Sequence, residues 1–176
     1  MNADMMTLID FEPAHFPVLR SWLSSERELV QWGGPDLTFP VSDEQLEQMR
    51  AEASGTPPKR LCWMAVDADH ALAGHIQLAM DWRHGVARIG RVIIAPDHRG
   101  KGLAGPLLQA VLERAFSYPK IERVELNVYT WNTPAMRTYA KVGFVPEGVR
   151  RSSVQVGDER WDTAIMGMLR AEWQAI

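Results

Sequence analysis

The chain has 176 residues, a net charge of -3, 46% hydrophobic and 23% charged residues, one cysteine and seven tryptophans. The acidic balance, with no Lys/Arg run longer than Arg150-Arg151, excludes a nucleic-acid footprint, and no apolar run approaches the length of a membrane span. Cys62 stands alone, so no intrachain disulfide forms; a cytoplasmic protein without signal pattern or metal-spaced His/Cys cluster is expected.

That length predicts one domain over 1–176, burying roughly 70% of the surface its unfolded chain exposes. "TLIDFEP" reads as a short strand stopped by Pro13, after which Phe16, Leu19, Trp22 and Leu23 recur at helical spacing. A second short helix runs from Glu26 to Trp32 and breaks at Gly33-Gly34-Pro35. Ser42 with Gln45 three residues on is a capping box, so a third helix starts there and ends before Gly55.

The period then changes from helical to extended. "RLCWMAVD" and "LAGHIQLAMDW" are strands, the second alternating His75, Gln77, Ala79 and Asp81 against Ile76, Leu78, Met80 and Trp82. "RHG" turns the chain into "VARIGRVIIAP", completing an antiparallel meander. Leu103, Leu107, Leu108, Val111, Leu112 and Ala115 mark an amphipathic helix that stops before Pro119. "RVELNVYT" is a strand, Pro134 to Val142 a short helix stopped by Gly143, and the remainder a hairpin turning near Gly157-Asp158. The order predicts an α/β (α+β) fold, with a mixed, mostly antiparallel sheet of about seven strands flanked by helices.

The stretch "RGKGLAGP" carries the chemistry. Gly100, Gly102 and Gly105 fit G-x-G-x-x-G, the fingerprint of a dinucleotide turn, and a dinucleotide-dependent oxidoreductase is one reading. That fold wants its first glycine almost directly after the strand and an acid at a strand end. Here Ala95 to Arg99 intervene, and Glu125, at the right distance, lies inside its strand. A Walker loop fails because Gly102 stands where Ser or Thr must follow Lys101. Strand, five-residue bend, glycines and helix remain. Glycines admit a ligand close to the backbone, and the first amides of a helix are unpaired donors, so a pyrophosphate fits beside Arg99 and Lys101. The alternative is a tight turn with solvated basic residues.

Arg99, Gly102 and Ala104 fit Arg-x-x-Gly-x-Ala, and "LNV" is followed by Asn132, Ala135, Tyr139 and Gly143-Phe144 at fixed spacing. With these motifs the chain resembles the GNAT superfamily of acyl-CoA-dependent N-acyltransferases from about Val92 to Phe144. The resemblance implies an acetyl-CoA cosubstrate and no metal. It implies that Val92, Ile93 and Ile94 offer backbone groups to the pantetheine arm. Gly100, Lys101, Gly102, Leu103, Ala104 and Gly105 would hold the pyrophosphate with Arg99, and Asn132 would contact the arm while also capping a helix. Tyr139 would be the general acid that protonates the departing thiolate; its alternative is a core tyrosine.

One family role is unfilled. Asn127 and Arg88 stand where some members carry a glutamate base. An amine of pKa near 10.4 is only about one part in 2,500 free at pH 7, so a relay is needed or an acceptor of lower pKa. Glu125, His75, Asp81 and His84 are candidate relays. Cys62 in "LCWMAV" reads as a small buried hydrophobe, so direct attack in a ternary complex is expected. The acceptor, a small-molecule or peptide amine, would meet the segment around Trp32 and the hairpin near Trp82. An acyl-CoA-binding module without turnover is the rival reading, and the oligomeric state is open, a homodimer included.

Overall fold

Each strand-like run carries an apolar face that only a second layer can cover, and two helical layers supply that cover. The computed structural model describes residues 5–175. Its sheet has seven strands: β1 (Thr7–Asp10), β2 (Arg60–Val66), β3 (Leu72–Asp81), β4 (Val86–Ile94), β5 (Arg123–Tyr129), β6 (Val145–Val156) and β7 (Glu159–Leu169). They lie in the order β1-β2-β3-β4-β5-β7-β6, antiparallel throughout except for β4 and β5. That one parallel pair needs a crossover, and the amphipathic helix expected after Leu103 provides it.

The helices are α1 (Phe16–Ser21), α2 (Glu26–Gly33), α3 (Asp43–Ala51), α4 (Ala104–Phe116), α5 (Thr133–Val142) and α6 (Arg170–Trp173). On one face of the sheet, Leu107, Leu108, Val111 and Leu112 of α4 pack with Ile76, Leu78, Ile89 and Leu126. On the other, Leu19, Leu29 and Leu46 from α1, α2 and α3 cover Cys62 and Met64. The Ser42 capping box forms with both hydrogen bonds, at 3.0 and 3.2 Å. Gly143 ends α5 at φ 117°, a conformation that favours glycine. Helix α6 has no periodic signal. Arg170 anchors it, donating to the carbonyls of Phe116, Tyr118 and Ile121, which only the folded chain brings together.

Although β3 alternates polar and apolar side chains, His75 and Gln77 are each 0% exposed, because α1 to α3 lie over the polar side as well. Phe11 meets the His75 ring edge-on at 4.7 Å and Trp32 lies 5.7 Å away. Burial pushes the His75 imidazole from 6.5 down to about 3, with Arg91 adding to the effect.

A second irregularity sets up the site. Gln77 pairs with Gly90 but His75 pairs with Ile93, so β4 carries an extra residue there, and Arg91 sits at φ 52°. On the opposite side, the β4–β5 ladder runs from Val86↔Arg123 to Ile89↔Leu126 and then stops. The two strands part at the bulge.

The His75 shift fixes a pH dependence. Unfolded chains protonate this imidazole below 6.5, whereas the native state keeps it neutral down to about 3. The unfolded state therefore binds the extra proton, and stability falls as pH drops through that window. His75→Gln should flatten the dependence of unfolding free energy between pH 6 and 4 by up to about 1.4 kcal/mol per pH unit. Denaturant titrations of both proteins across that range measure it; parallel slopes would refute the assignment.

Candidate functional site

Beyond Ile89 and Leu126, the parting strands open a cleft of about 790 Å³. Gly90 to Ile94 of β4 and Asn127 to Tyr129 of β5 form its two sides. Ile93 and Ile94 still pair with β3 on their other edge. The edge of Val92, Ile93 and Ile94 that faces β5 is unpaired, which leaves backbone groups for a strand-like ligand. Trp32 lines the cleft from α2 and donates its indole N–H to the Arg91 carbonyl at 2.8 Å.

At one end of the cleft, a turn of 3-10 helix (Pro96–His98) carries the chain from Ile94 into the glycine loop. Arg99 folds back, its Nε donating to the Ile94 carbonyl at 3.2 Å. Gly100 and Gly102 adopt φ of 75° and 78°, left-handed values that strain any other residue. A Cβ built on Gly100, Gly102 or Gly105 would meet nothing within 4 Å. No side chain caps α4, so its first amides remain as donors at the positive end of the helix. Arg99 and Ala104 line the cleft itself, while Gly100, Lys101 and Gly102 form the loop beside them and Gly105 lies in the first turn of α4. The Leu103 side chain is buried in the core at 7% exposure, leaving only its backbone for a ligand.

Asn132 caps α5, its Oδ1 accepting from the Ala135 amide at 3.3 Å, and also lines the cleft. Tyr139 projects from α5 into the same space. Its ring packs edge-on to Phe144 at 6.1 Å, and burial pushes its phenol up to about 12. The structure thus brings the β4 segment, the loop, Asn132, Tyr139 and Trp32 to one cleft.

Trp82 is not among them. It occupies the β3–β4 turn, where its indole N–H donates to the Pro58 carbonyl at 2.6 Å and its ring meets Tyr118. The expected acceptor wall there is corrected, because that turn lies at the far end of β4 from Ile94. Nor do the four candidate relays reach the cleft. Glu125 is held by Arg88 at 2.9 Å and Arg123 at 3.1 Å, which keep its carboxyl low despite burial. Asp81 and His84 pair with each other at 3.0 Å on the β3–β4 turn, and His75 is enclosed.

The cleft also holds side chains that the sequence reading passed over. Glu28 and Asp36 supply its carboxylates, and Arg60, Arg91 and Arg150 join Arg88 and Arg99. Two hydrogen bonds from Ser24 hold the Glu28 carboxyl below its usual range. Arg91 had a signal, since a lone glycine in the strand "VARIGRVII" marks a bulge that re-aims the next side chain. Glu28 and Asp36 had none, lying fifty or more residues before that strand.

Residues 20–144 match the Acetyltransferase (GNAT) family. The chain is 29% identical over 113 residues to the SPbeta prophage-derived N-acetyltransferase YokL of Bacillus subtilis, covering 64% of this chain and 63% of that one. It is 35% identical over 83 residues to a spermidine N(1)-acetyltransferase of Vibrio cholerae, covering 47% of each. An L-amino acid N-acetyltransferase of Escherichia coli matches at 26% over 131 residues, 73% of this chain and 78% of that one. The alignments thus span about three fifths of the length of the B. subtilis relatives. A solved spermidine N-acetyltransferase from Vibrio cholerae, in complex with CoA and spermine, superposes with a TM-score of 0.83 at 24% identity, covering 97% and 98% of the two chains. The fold is shared.

Cys62 stands outside the cleft, its thiol directed at the Met49 carbonyl at 3.7 Å and pushed by burial up to about 11. At pH 7.5 the native thiol should react with iodoacetamide at least about 10²-fold more slowly than the denatured chain, since the thiolate is the nucleophile. Mass spectrometry of timed quenches reads this; equal rates would return Cys62 to consideration as an acyl carrier.

Proposed function

The chain belongs to the acetyltransferase (GNAT) family, and from that membership and the cleft we propose that it transfers the acetyl group of acetyl-CoA to an amine. The observation that carries the proposal is the joining, in one cleft, of an unpaired strand edge and a glycine loop opening an uncapped helix. A pantetheine arm is amide-bearing and extended, so it can pair with Val92 to Ile94 as an added strand does. The space over Gly100, Gly102 and Gly105 suits a pyrophosphate, whose charge the α4 amides, Arg99 and Lys101 would meet. The residues fit the group. When bound, acetyl-CoA supplies an activated acetyl thioester.

Tyr139 acts as the general acid in this proposal. A phenol near 12 is fully protonated at neutral pH and so holds its proton until the sulfur departs. Burial that raises the phenol also raises the thiol that forms beside it, which keeps the two groups matched for transfer. Among the cleft's carboxylates, Glu28 is held by Ser24 and Asp36 is exposed. The amine therefore arrives as free base or loses its proton to water. The relatives' names support small-molecule amines as acceptors, and a buried free thiol suits a reducing, cytoplasmic setting. Among the described residues no helix is long and apolar enough to cross a membrane.

CoA should raise the melting temperature, because a ligand that binds only the native state stabilises it by mass action, and NAD should do much less. Gly105→Val places a side chain in the phosphate approach without a left-handed φ, so it should abolish the CoA shift while leaving the apo protein folded. Equal stabilisation by NAD would overturn the cofactor assignment. CoA binding without thiol release, for any amine in a broad screen, would instead support a binding module.

Tyr139→Phe keeps the ring against Phe144 and removes only the hydroxyl. Acetyl-CoA binding should persist while kcat falls by about 10²-fold, the lower end for a general acid because water substitutes in part. Because burial has raised the phenol, the parent's rate should show no phenolic alkaline limb below pH 10. An unchanged kcat with chemistry rate-limiting would return Tyr139 to a packing role.

A further inference from the structure

Arg91 is a largely buried cation that the protein itself does not neutralise. Its Nη1 donates to the Gln77 Oε1 at 2.9 Å, its Nε is enclosed without a partner, and the residue lines the cleft. No carboxylate among the described residues forms an ion pair with it. Its nearest basic neighbour makes the position worse. Arg60 shares Gln77 Oε1 at 3.4 Å and repels Arg91, while Glu52 at 2.7 Å is committed to Arg60. Glu52 and Asp36 attract Arg91 without bonding to it, Asp36 from out in solvent. Gly33, at the carbonyl end of α2, approaches the Nε but makes no hydrogen bond. Burial and Arg60 lower the Arg91 guanidinium to about 10, which leaves it charged at neutral pH.

A desolvated charge without a counter-ion is costly, and a cleft that keeps one is suited to a ligand that brings the opposite charge. The position of Arg91 says which part of a ligand that is. The bulge sets it one residue before Val92, on the side of the cleft walled by Trp32 and away from the glycine loop. The pyrophosphate end already has Arg99, Lys101 and the α4 amides.

We propose that Arg91 receives the carboxylate of the acceptor, so that the preferred substrates are amino-carboxylates rather than polycationic amines. This rests on the acetyl-transfer reading and narrows it. An Arg91 without a carboxylate partner repels a polyamine and attracts an anionic acceptor. Pairing also addresses the absent base. In a free amino acid the carboxylate stabilises the neighbouring ammonium; once Arg91 takes that carboxylate, and adds its own positive charge nearby, the amine gives up its proton more readily.

The test compares glycine, leucine, phenylalanine and glutamate with their C-terminal amides and with spermidine, reading thiol release from acetyl-CoA. With the parent protein, the best acid should exceed its own amide in kcat/KM by on the order of 10²-fold. Arg91→Met should collapse that ratio to within about threefold and leave the CoA-induced melting shift intact; Arg91→Lys should restore part of the preference. An amide or spermidine that outperforms every acid in the parent would overturn the proposal, and this comparison decides it even if Arg91→Met does not fold. A variant that lowers acid and amide rates equally would overturn it too, assigning Arg91 to the reacting centre. If no amine turns over, melting shifts in the presence of CoA decide: N-acetyl-leucine should stabilise the parent and N-acetyl-leucine amide should not. No difference there refutes the carboxylate site, while a difference without turnover leaves it standing and removes only the transfer reading.

Discussion

The separation of β4 from β5 is the constraint on which the rest of the site depends. Two parallel strands joined by α4 would ordinarily pair along their shared length, yet the ladder stops at Ile89↔Leu126. The extra residue in β4 is the cause. A bulge bends and twists its strand, and here it does so where β3 on one side continues to hold Ile93 and Ile94 in register. The strand is therefore kept in the sheet by one neighbour and withdrawn from the other. An unpaired edge inside a protein is a liability unless something occupies it, and the open cleft is the consequence.

The same bend determines where charge lies. Arg91 follows Gly90 at the bulge with a left-handed φ, and its side chain is carried under α2 instead of out to solvent. The Trp32 indole fastens the arrangement by bonding to the Arg91 carbonyl. Further along the chain, the glycine loop and the uncapped start of α4 place a second, backbone-derived positive region at the other end of the cleft. The loop offers fixed backbone dipoles and Arg91 a guanidinium charge, and Tyr139 and Asn132 line the same cleft.

The acid–base chemistry follows from this enclosure. Glu125, one of the candidate relays, is consumed by Arg88 across the parallel pair and by Arg123 on its own strand. His75 is neutral and sealed between Phe11 and Trp32. With the titratable groups nearest the sheet committed to structure, the proposed chemistry rests on a phenol that holds its proton and on charge placement that shifts the amine.

Much of this was legible in the chain alone. Periodicity located the strands and helices, because burial on one face leaves a period of two or 3.6 in the sequence. The glycines of the loop, the Ser42 cap and the Gly143 stop were legible because each answers a local backbone demand. The resemblance carried Tyr139 and Asn132 to their cleft. The pattern misplaced Trp82 and was silent on two properties set by the second layer, the burial of the polar face of β3 and the helix anchored by Arg170. The sequence by itself determined the elements, their caps and the glycine loop, since these depend on residues within a few positions of one another. Only the tertiary structure decided which charges remain unpaired in the cleft, since Arg60, Gln77 and Arg91 come together across two strand pairings and under a helix from the start of the chain.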